Sequence, residues 1–528
     1  MCGFVVVAKE DFEVKVFDEA LEKTVDRGPD MQATLAVKKA VFGFNRLAIM
    51  DLSAKGMQPF SALDCTLVCN GEIYNYRQLE QNLAGYSFKS GSDCECLIPL
   101  YRKYGLDTMC KLLDAEFAFV LYDEQSQKVV AGRDPIGIRP MFYGYNEAGH
   151  LSFASTAKAL METCKHIYPF PPGHYYDGEK FVCYDDPAMV ARMKLPTPQE
   201  AETKIRELLI AGVKKRLHAD APVGYLLSGG LDSSLVCSIA AKLMPQKKLK
   251  TFAIGMDQNP IDLKYAREVA EYLGTDHTEF IMTRAEVLAA LRQVIYTLET
   301  WDITTIRASV GMYLLCQKIH ENTDLKVILT GECSDELFGY KYTDFAPNAE
   351  EFQKESMKRV RELYMYDVLR ADRCISANSL EGRVPFADLD FVKYVMSIDP
   401  ELKMNKWGKG KYLLRQAFAN QGYLPEDILM REKAAFSDAV GHSLVDDLKA
   451  YAETKYTDAD LAKAQDKYGY HHAPFTKESL LYREIFEEFY PGKAKWIKDY
   501  WMPNKTWENC DVDDPSARVL KNYGDSGK

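Results

Sequence analysis

The chain has 528 residues, 47% hydrophobic and 27% charged, an ordinary soluble-globular composition that at about 100–200 residues per domain fits two or three domains. Sixty-six Lys+Arg against 77 Asp+Glu give a net charge of −11, which argues against a nucleic-acid or anionic-membrane surface. No apolar run reaches about 18 residues, so no spanning helix is expected. No basic segment precedes the short apolar run Phe4 to Ala8, so neither a signal nor a transit peptide is expected, and the 13 cysteines read as reduced thiols in the cytoplasm.

The first half reads as strand-rich. A strand from Phe4 to Ala8 follows Met1-Cys2-Gly3. If Met1 is removed, Cys2 becomes the first residue, and its α-amine, with a pKa of about 7.7–8.0, can serve as base toward its own thiol. Phe42 to Asp51 is strand-like and carries Arg46 among apolar neighbours, a setting in which a guanidinium usually forks onto a carboxylate. Leu67 to Cys69 runs into Asn70-Gly71, which reads either as a hairpin turn or as an amide and an N–H forming an oxyanion hole. A helix is expected from Cys94 to Tyr104, kinked by Pro99. Phe117 to Tyr122 and Lys128 to Gly132 form a strand pair. Cys65, Cys69, Cys94 and Cys96 do not have the spacing of a zinc finger.

Pro196-Thr197-Pro198 marks a boundary between residues 1–195 and a second domain, 200–528, that opens with a helix from Ala201 to Leu217. There the apolar run Val223 to Leu227 enters Ser228-Gly229-Gly230-Leu231-Asp232-Ser233-Ser234 and then a helix-compatible run. A strand, glycine-rich turn and helix aim backbone N–H groups at one point, which suits a phosphate. The lysine that ends the usual triphosphate loop is missing, so the loop is expected to grip the pyrophosphate of ATP and leave AMP. Asp232 could hold a divalent cation. A buried strand at Thr251 to Met256, a helix from Leu263 to Leu273 and a strand at Val327 to Leu329 continue a parallel, doubly wound α/β pattern. Ligands of such a sheet sit beyond the carboxyl ends of its strands. The loops after Leu227, Ile254 and Leu329 should therefore converge. The last of these, Thr330-Gly331-Glu332-Cys333-Ser334-Asp335-Glu336, is acidic, which reads either as a solvated turn or, through Asp335 together with Asp232, as magnesium ligands. If Cys333 needs a positive φ, cysteine is a strained choice there.

Cys2-Gly3, Arg27-Gly28-Pro29-Asp30, Arg46-Leu47-Ala48-Ile49, Asn70-Gly71-Glu72-Ile73-Tyr74-Asn75, Gly91-Ser92-Asp93 and Arg133-Asp134-Pro135 occur in the order found in class II glutamine amidotransferase domains. Joined to the Ser-Gly-Gly-Leu-Asp-Ser-Ser segment, they resemble the glutamine-hydrolysing asparagine synthetases of the B type over essentially the whole chain. The resemblance implies an N-terminal α/β/β/α sandwich of the N-terminal-nucleophile type and an ATP-pyrophosphatase-type second domain. It implies that Cys2 attacks the glutamine amide, with Asn70 and Gly71 at the oxyanion. Arg46 with Ile49 would bind glutamine at its carboxylate end, and Glu72 and Asp93 at its ammonium. Leu227, Ser228, Gly229, Gly230, Asp232, Ser233, Ile254, Thr330, Gly331 and Lys433 would bind ATP, with Mg2+ on Asp232 and Asp335. Glu332 would act at the aspartyl adenylate, Glu332 and Asp388 would bind aspartate, and Lys433 would meet the α-phosphate. The implied partners are small-molecule substrates and a second copy in a homodimer. Asn45, Cys333, Ala387 and Ala434-Ala435 depart from the family pattern. They keep open a related enzyme that adenylates another acid, and a non-catalytic storage or binding relative also stays open.

Overall fold

The computed structural model describes residues 1–8, 13–192, 197–257, 261–432 and 443–523. Two six-stranded antiparallel sheets occupy the first part of the chain. One runs in the order His166–Pro169, Phe142–Tyr145, Leu151–Ala154, Gly3–Val7, Ala40–Arg46, Met31–Val37. The other runs Phe181–Cys183, His174–Tyr176, Lys128–Arg133, Ala115–Asp123, Cys65–Ile73, Phe60–Ala62. Side chains alternate across each strand, and both faces of these strands are apolar. Phe4, Val6, Phe42 and Phe44 pack between the sheets against Val68, Val120 and Tyr122. Val5, Val7 and Val41 point the other way, onto Phe17 and Leu21 of helix Val14–Glu22. Leu67, Phe117 and Phe119 face outward in the same cluster as Leu97, Ile98 and Leu100 of helix Leu97–Leu112. The result is the expected helix–sheet–sheet–helix sandwich.

Two local expectations change. Asn70 and Gly71 are not a turn: they lie within strand Cys65–Ile73, opposite Ala118 and Phe117. The kink in the helix falls at Gly105 (φ 76°, ψ 170°) and not at Pro99. Pro99 sits in the first turn, where backbone N–H groups have no helical acceptor to lose.

The second part carries a five-stranded parallel sheet in the order Asp276–Met282, Lys250–Met256, Val223–Leu226, Val327–Leu329, Glu381–Arg383. Numbered along the chain, that order is 3-2-1-4-5, so the winding reverses between Val223–Leu226 and Val327–Leu329. A crevice opens at such a reversal, beyond the carboxyl ends of the strands. Helix Pro198–Arg216 is started by a capping box between Thr197 and Glu200, with Pro198 in its first turn. None of the described helices is long and apolar enough to cross a membrane.

The two parts meet through buried charge. Arg27 binds Asp372 at 2.8 Å and Ser376 at 2.8 Å. Arg139 binds Glu116 at 2.9 Å and donates to Gly382 O. Arg216 joins Glu116 at 2.8 Å to Asp388 at 3.1 Å. Arg383 joins Glu72 at 3.0 Å to Glu381 at 2.8 Å. None of these charged side chains is more than 5% exposed. Around them Leu47, Ile49, Ile136 and Ile138 share one apolar cluster with Ile205, Leu209 and Ala387. Removing one member of a buried pair strands the other charge, at about 3–5 kcal/mol, whereas an exposed pair contributes about 0–1 kcal/mol. Arg383→Met is therefore expected to lower the urea midpoint clearly. Arg192→Met, which breaks the exposed pair with Glu350, should leave that midpoint nearly unchanged. Equal small effects would mean that the interface is hydrated.

Candidate active sites

The residues of the first candidate site stand at the start of strand Gly3–Val7, whose Gly3 lies opposite Asn45 at the end of strand Ala40–Arg46, and at the end of strand Cys65–Ile73. Cys2 is half-buried. Leu47 N donates to its Sγ at 3.4 Å, and Arg27 Nε donates to its carbonyl at 2.9 Å. Burial pushes the Cys2 thiol up, against the opposing pull of the neighbouring N-terminal ammonium and of Arg46. The Met1 ammonium is itself buried, donates to Leu380 O at 3.2 Å, and is pushed down to about 5 by desolvation. Asn70 is 1% exposed, yet neither its amide nitrogen nor its amide oxygen has a hydrogen-bond partner among the described residues. A buried amide left open in this way costs free energy unless a water or another polar group completes it.

Asp93 is buried and accepts from Ile73 N at 2.6 Å, and desolvation raises its carboxyl to about 6. Arg46 is buried, and its fork donates to the carbonyls of Met50 and Ser53 at 3.2 and 2.7 Å and to that of Asp51. The guanidinium thus holds the loop after its strand. Ile49 packs in the interdomain cluster, and its carbonyl accepts from Asp220 N and Ala221 N at 3.2 Å each. Glu72 does not stand open to an ammonium: it faces Arg383, which opposes the upward push of burial on its carboxyl. Asn45 points away from this site. Its amide donates to Leu21 O and Thr24 Oγ1 at 2.8 and 2.9 Å, so the departure there secures helix Val14–Glu22.

The second candidate site is a cavity of about 220 Å³ at the reversal of the parallel sheet. Leu227, Ser228, Gly230, Asp232 and Ser233 line it from the first loop and Ile254 from the second. Thr330, Gly331, Glu332 and Asp335 line it from the third. The loops approach closely: a Cβ on Gly331 would lie 2.7 Å from Ser233 N. Gly229 adopts φ +72° and packs against Tyr265 and Ala266 behind the loop. Thr330 Oγ1 is buried with no hydrogen-bond partner among the described residues. Glu332 pairs with Arg370 at 2.6 Å, and burial with Asp367 nearby drives the Glu336 carboxyl up. Lys433 lies outside the described residues. Just before it, Arg431 donates to Gly229 O at 3.1 Å and sits 3.7 Å over the Tyr265 ring.

Asp388 is not in this cavity. Its carboxylate accepts from Lys215 and Arg216 and caps helix Leu389–Ser397 at Phe391 N, which places it in the domain interface. Lys411 and the C-terminal segment carried no signal in the sequence. Lys411, in the run Gly408-Lys409-Gly410-Lys411, reaches both Asp232 and Asp335, at 2.8 and 2.6 Å. Trp501 and Pro515 to Ala517 wall the cavity from the C-terminal segment. Asp302 holds Trp501 N at 2.6 Å, and Arg307 binds Asp514 at 2.8 Å and Glu478.

An amidotransferase-type sandwich with a cysteine just before its first strand is thus joined to a parallel-sheet domain whose loops enclose a cavity at the reversal of the sheet. Family models agree: a glutamine amidotransferase domain matches residues 1–170, and asparagine synthase matches residues 204–351 and 344–513. The chain is 41% identical to asparagine synthetase (glutamine-hydrolyzing) of Gallus gallus over 99% of both chains. It is 43% identical to the probable asparagine synthetase (glutamine-hydrolyzing) of Schizosaccharomyces pombe over 98% of both, and 40% identical to the Homo sapiens asparagine synthetase over 99% of both. The chain belongs to the family of glutamine-hydrolysing asparagine synthetases.

The expected strain at Cys333 is present, with φ 76° and ψ −6° at 3% exposure. A left-handed conformation costs an L-residue roughly 1–2 kcal/mol and is worse for a β-branched side chain. Both Cys333→Gly and Cys333→Val remove the thiol. The glycine variant is expected to show the higher thermal midpoint, and a more stable valine variant would contradict the strain.

Proposed function

We propose that this chain makes asparagine from aspartate, taking nitrogen from glutamine and cleaving ATP to AMP and pyrophosphate. The observation that carries the reading is the combination, in one chain, of Cys2 and an open, buried Asn70 amide with three loops converging on one cavity. In the first site the Cys2 thiolate adds to the glutamine amide carbon, and Asn70 Nδ2 and the Gly71 N–H receive the developing oxyanion. With Met1 present the Cys2 nitrogen is an amide. Removal of Met1 frees an amine beside a thiol whose burial calls for a base. Arg46 takes the substrate carboxylate by exchanging it for loop carbonyls, with Ile49 beside it. Asp93 takes the α-ammonium, while Glu72 acts on this end only through Arg383.

In the second site backbone N–H groups and the hydroxyls of Ser228 and Ser233 grip the phosphates of ATP. The same loop supplies Leu227, Gly229 and Gly230, with Ile254, Thr330 and Gly331 opposite. Asp232 and Asp335 present hard carboxylate oxygens from facing loops, a donor set that fits Mg2+. When bound, the ion neutralises phosphate charge. Glu332, on the third loop, acts on the acceptor acid, and Lys433 is assigned to the α-phosphate. The boundary between residues 195 and 200, a homodimer and a cytoplasmic location belong to the same reading. All 13 cysteines are free thiols, which supports a reducing compartment.

Cys2→Ala removes the nucleophile and little volume. Glutamine hydrolysis should fall to background, while ammonium salts restore asparagine formation, more strongly as pH rises and more of the ammonia is unprotonated. Continued glutamine use by the variant would place the nucleophile elsewhere, and failure of the ammonia rescue would remove the independent second site.

A further inference from the structure

Lys411 is buried at 3% exposure, and its ammonium is spent on the cavity's carboxylates. It donates to both oxygens of Asp232 at 2.9 and 2.8 Å, to Ser334 Oγ at 2.9 Å, and forms an ion pair with Asp335 Oδ1 at 2.6 Å. Ser334 Oγ in turn donates to Asp232 Oδ1 at 2.8 Å. The residue adopts φ 57° and ψ 32° at the start of helix Tyr412–Phe418, a left-handed conformation that persists only where the surroundings hold it. A lysine so held occupies the ground between the two carboxylates that the proposed function assigns to a divalent cation.

Building on that assignment, we propose that Lys411 is a positioning residue that excludes the free divalent cation, so that the metal enters only together with the nucleotide. The argument is electrostatic. Mg2+ requires oxygen ligands at about 2.0–2.1 Å in octahedral array, and an ammonium already in contact with both carboxylates leaves no room for that geometry. A bare cation would have to displace the ammonium, and a buried ammonium that loses its partners is costly. The two positive charges would also repel at short range in a medium less polar than water. A triphosphate changes the balance. Its oxygens give the displaced ammonium new acceptors within the same cavity and add ligands to the metal. Lys411 therefore makes metal binding conditional on nucleotide, and keeps Asp232 and Asp335 in register while the cavity is empty.

Mn2+ serves as the probe, read by the loss of its free electron paramagnetic resonance signal in the full-length protein. Binding of Mn2+ alone is compared with binding in the presence of the non-hydrolysable analogue α,β-methylene-ATP. The wild type should bind Mn2+ weakly alone and tightly in the ternary complex. Lys411→Met should bind Mn2+ without nucleotide tighter than the wild type by about tenfold or more, and Lys411→Arg should keep the exclusion. A wild type that takes up Mn2+ equally well with and without the analogue overturns the proposal, whether or not the variants fold. So does a folded Lys411→Met or Lys411→Gln that gains nothing. If instead the wild-type ternary complex holds no Mn2+, or Asp335→Asn leaves its Mn2+ signal intact, the metal assignment itself fails, an outcome distinct from failure of the exclusion.

Discussion

The architecture depends on charges buried between the two domains. An arginine or glutamate loses its hydration when two domains close over it, and only a partner on the other side makes that tolerable. Arg383 meets Glu72 across the interface, Arg27 meets Asp372, and Arg139 and Arg216 share Glu116. Pairs of this kind contribute less to net stability than to register, because misalignment strands a charge. The neighbouring apolar cluster from Leu47 to Ile138 supplies the non-directional attraction, and the ion pairs select one docking among many. The register matters for chemistry: Arg27 also holds the Cys2 carbonyl, so the candidate nucleophile is fixed by the same contact that docks the domains.

A second constraint acts at the reversal of the parallel sheet. Gly331 lies against Ser233, and the sharp turn at Cys333 lets Ser334 and Asp335 face back toward Asp232. Close loop approach concentrates carboxylates where phosphates are expected. That arrangement is tolerable in an empty cavity because a buried lysine stands among them.

Much of this was legible because it is local. The run from Val223 to Ser234 states its own strand, turn and helix, and the acidic loop after Leu329 is placed by the strand before it; the strain at Cys333 was foreseen only through the resemblance, from whose pattern Cys333 departs. The order of motifs from Cys2 to Arg133 carried the sandwich. What stayed illegible was pairing between residues far apart in the chain. Nothing beside Asp388 marks it as the partner of Arg216, and only the resemblance made it a substrate ligand. Glu72 is likewise diverted to Arg383. Lys411 sits in a Gly-Lys run without periodicity, and Trp501 lies in a tail whose aromatic and polar residues follow no pattern. Asn70-Gly71 was open to two readings, and only the hairpin is excluded, since the dipeptide lies within a strand.

The central claim is that one chain moves the amide nitrogen of glutamine onto an acid activated by ATP. The direct measurement supplies glutamine labelled with nitrogen-15 at its amide, together with aspartate and ATP, and follows products by mass spectrometry and phosphorus NMR. The account predicts asparagine labelled at its amide, formed in step with AMP and pyrophosphate. ADP and phosphate in place of AMP, or glutamate released while aspartate stays unlabelled, would contradict it.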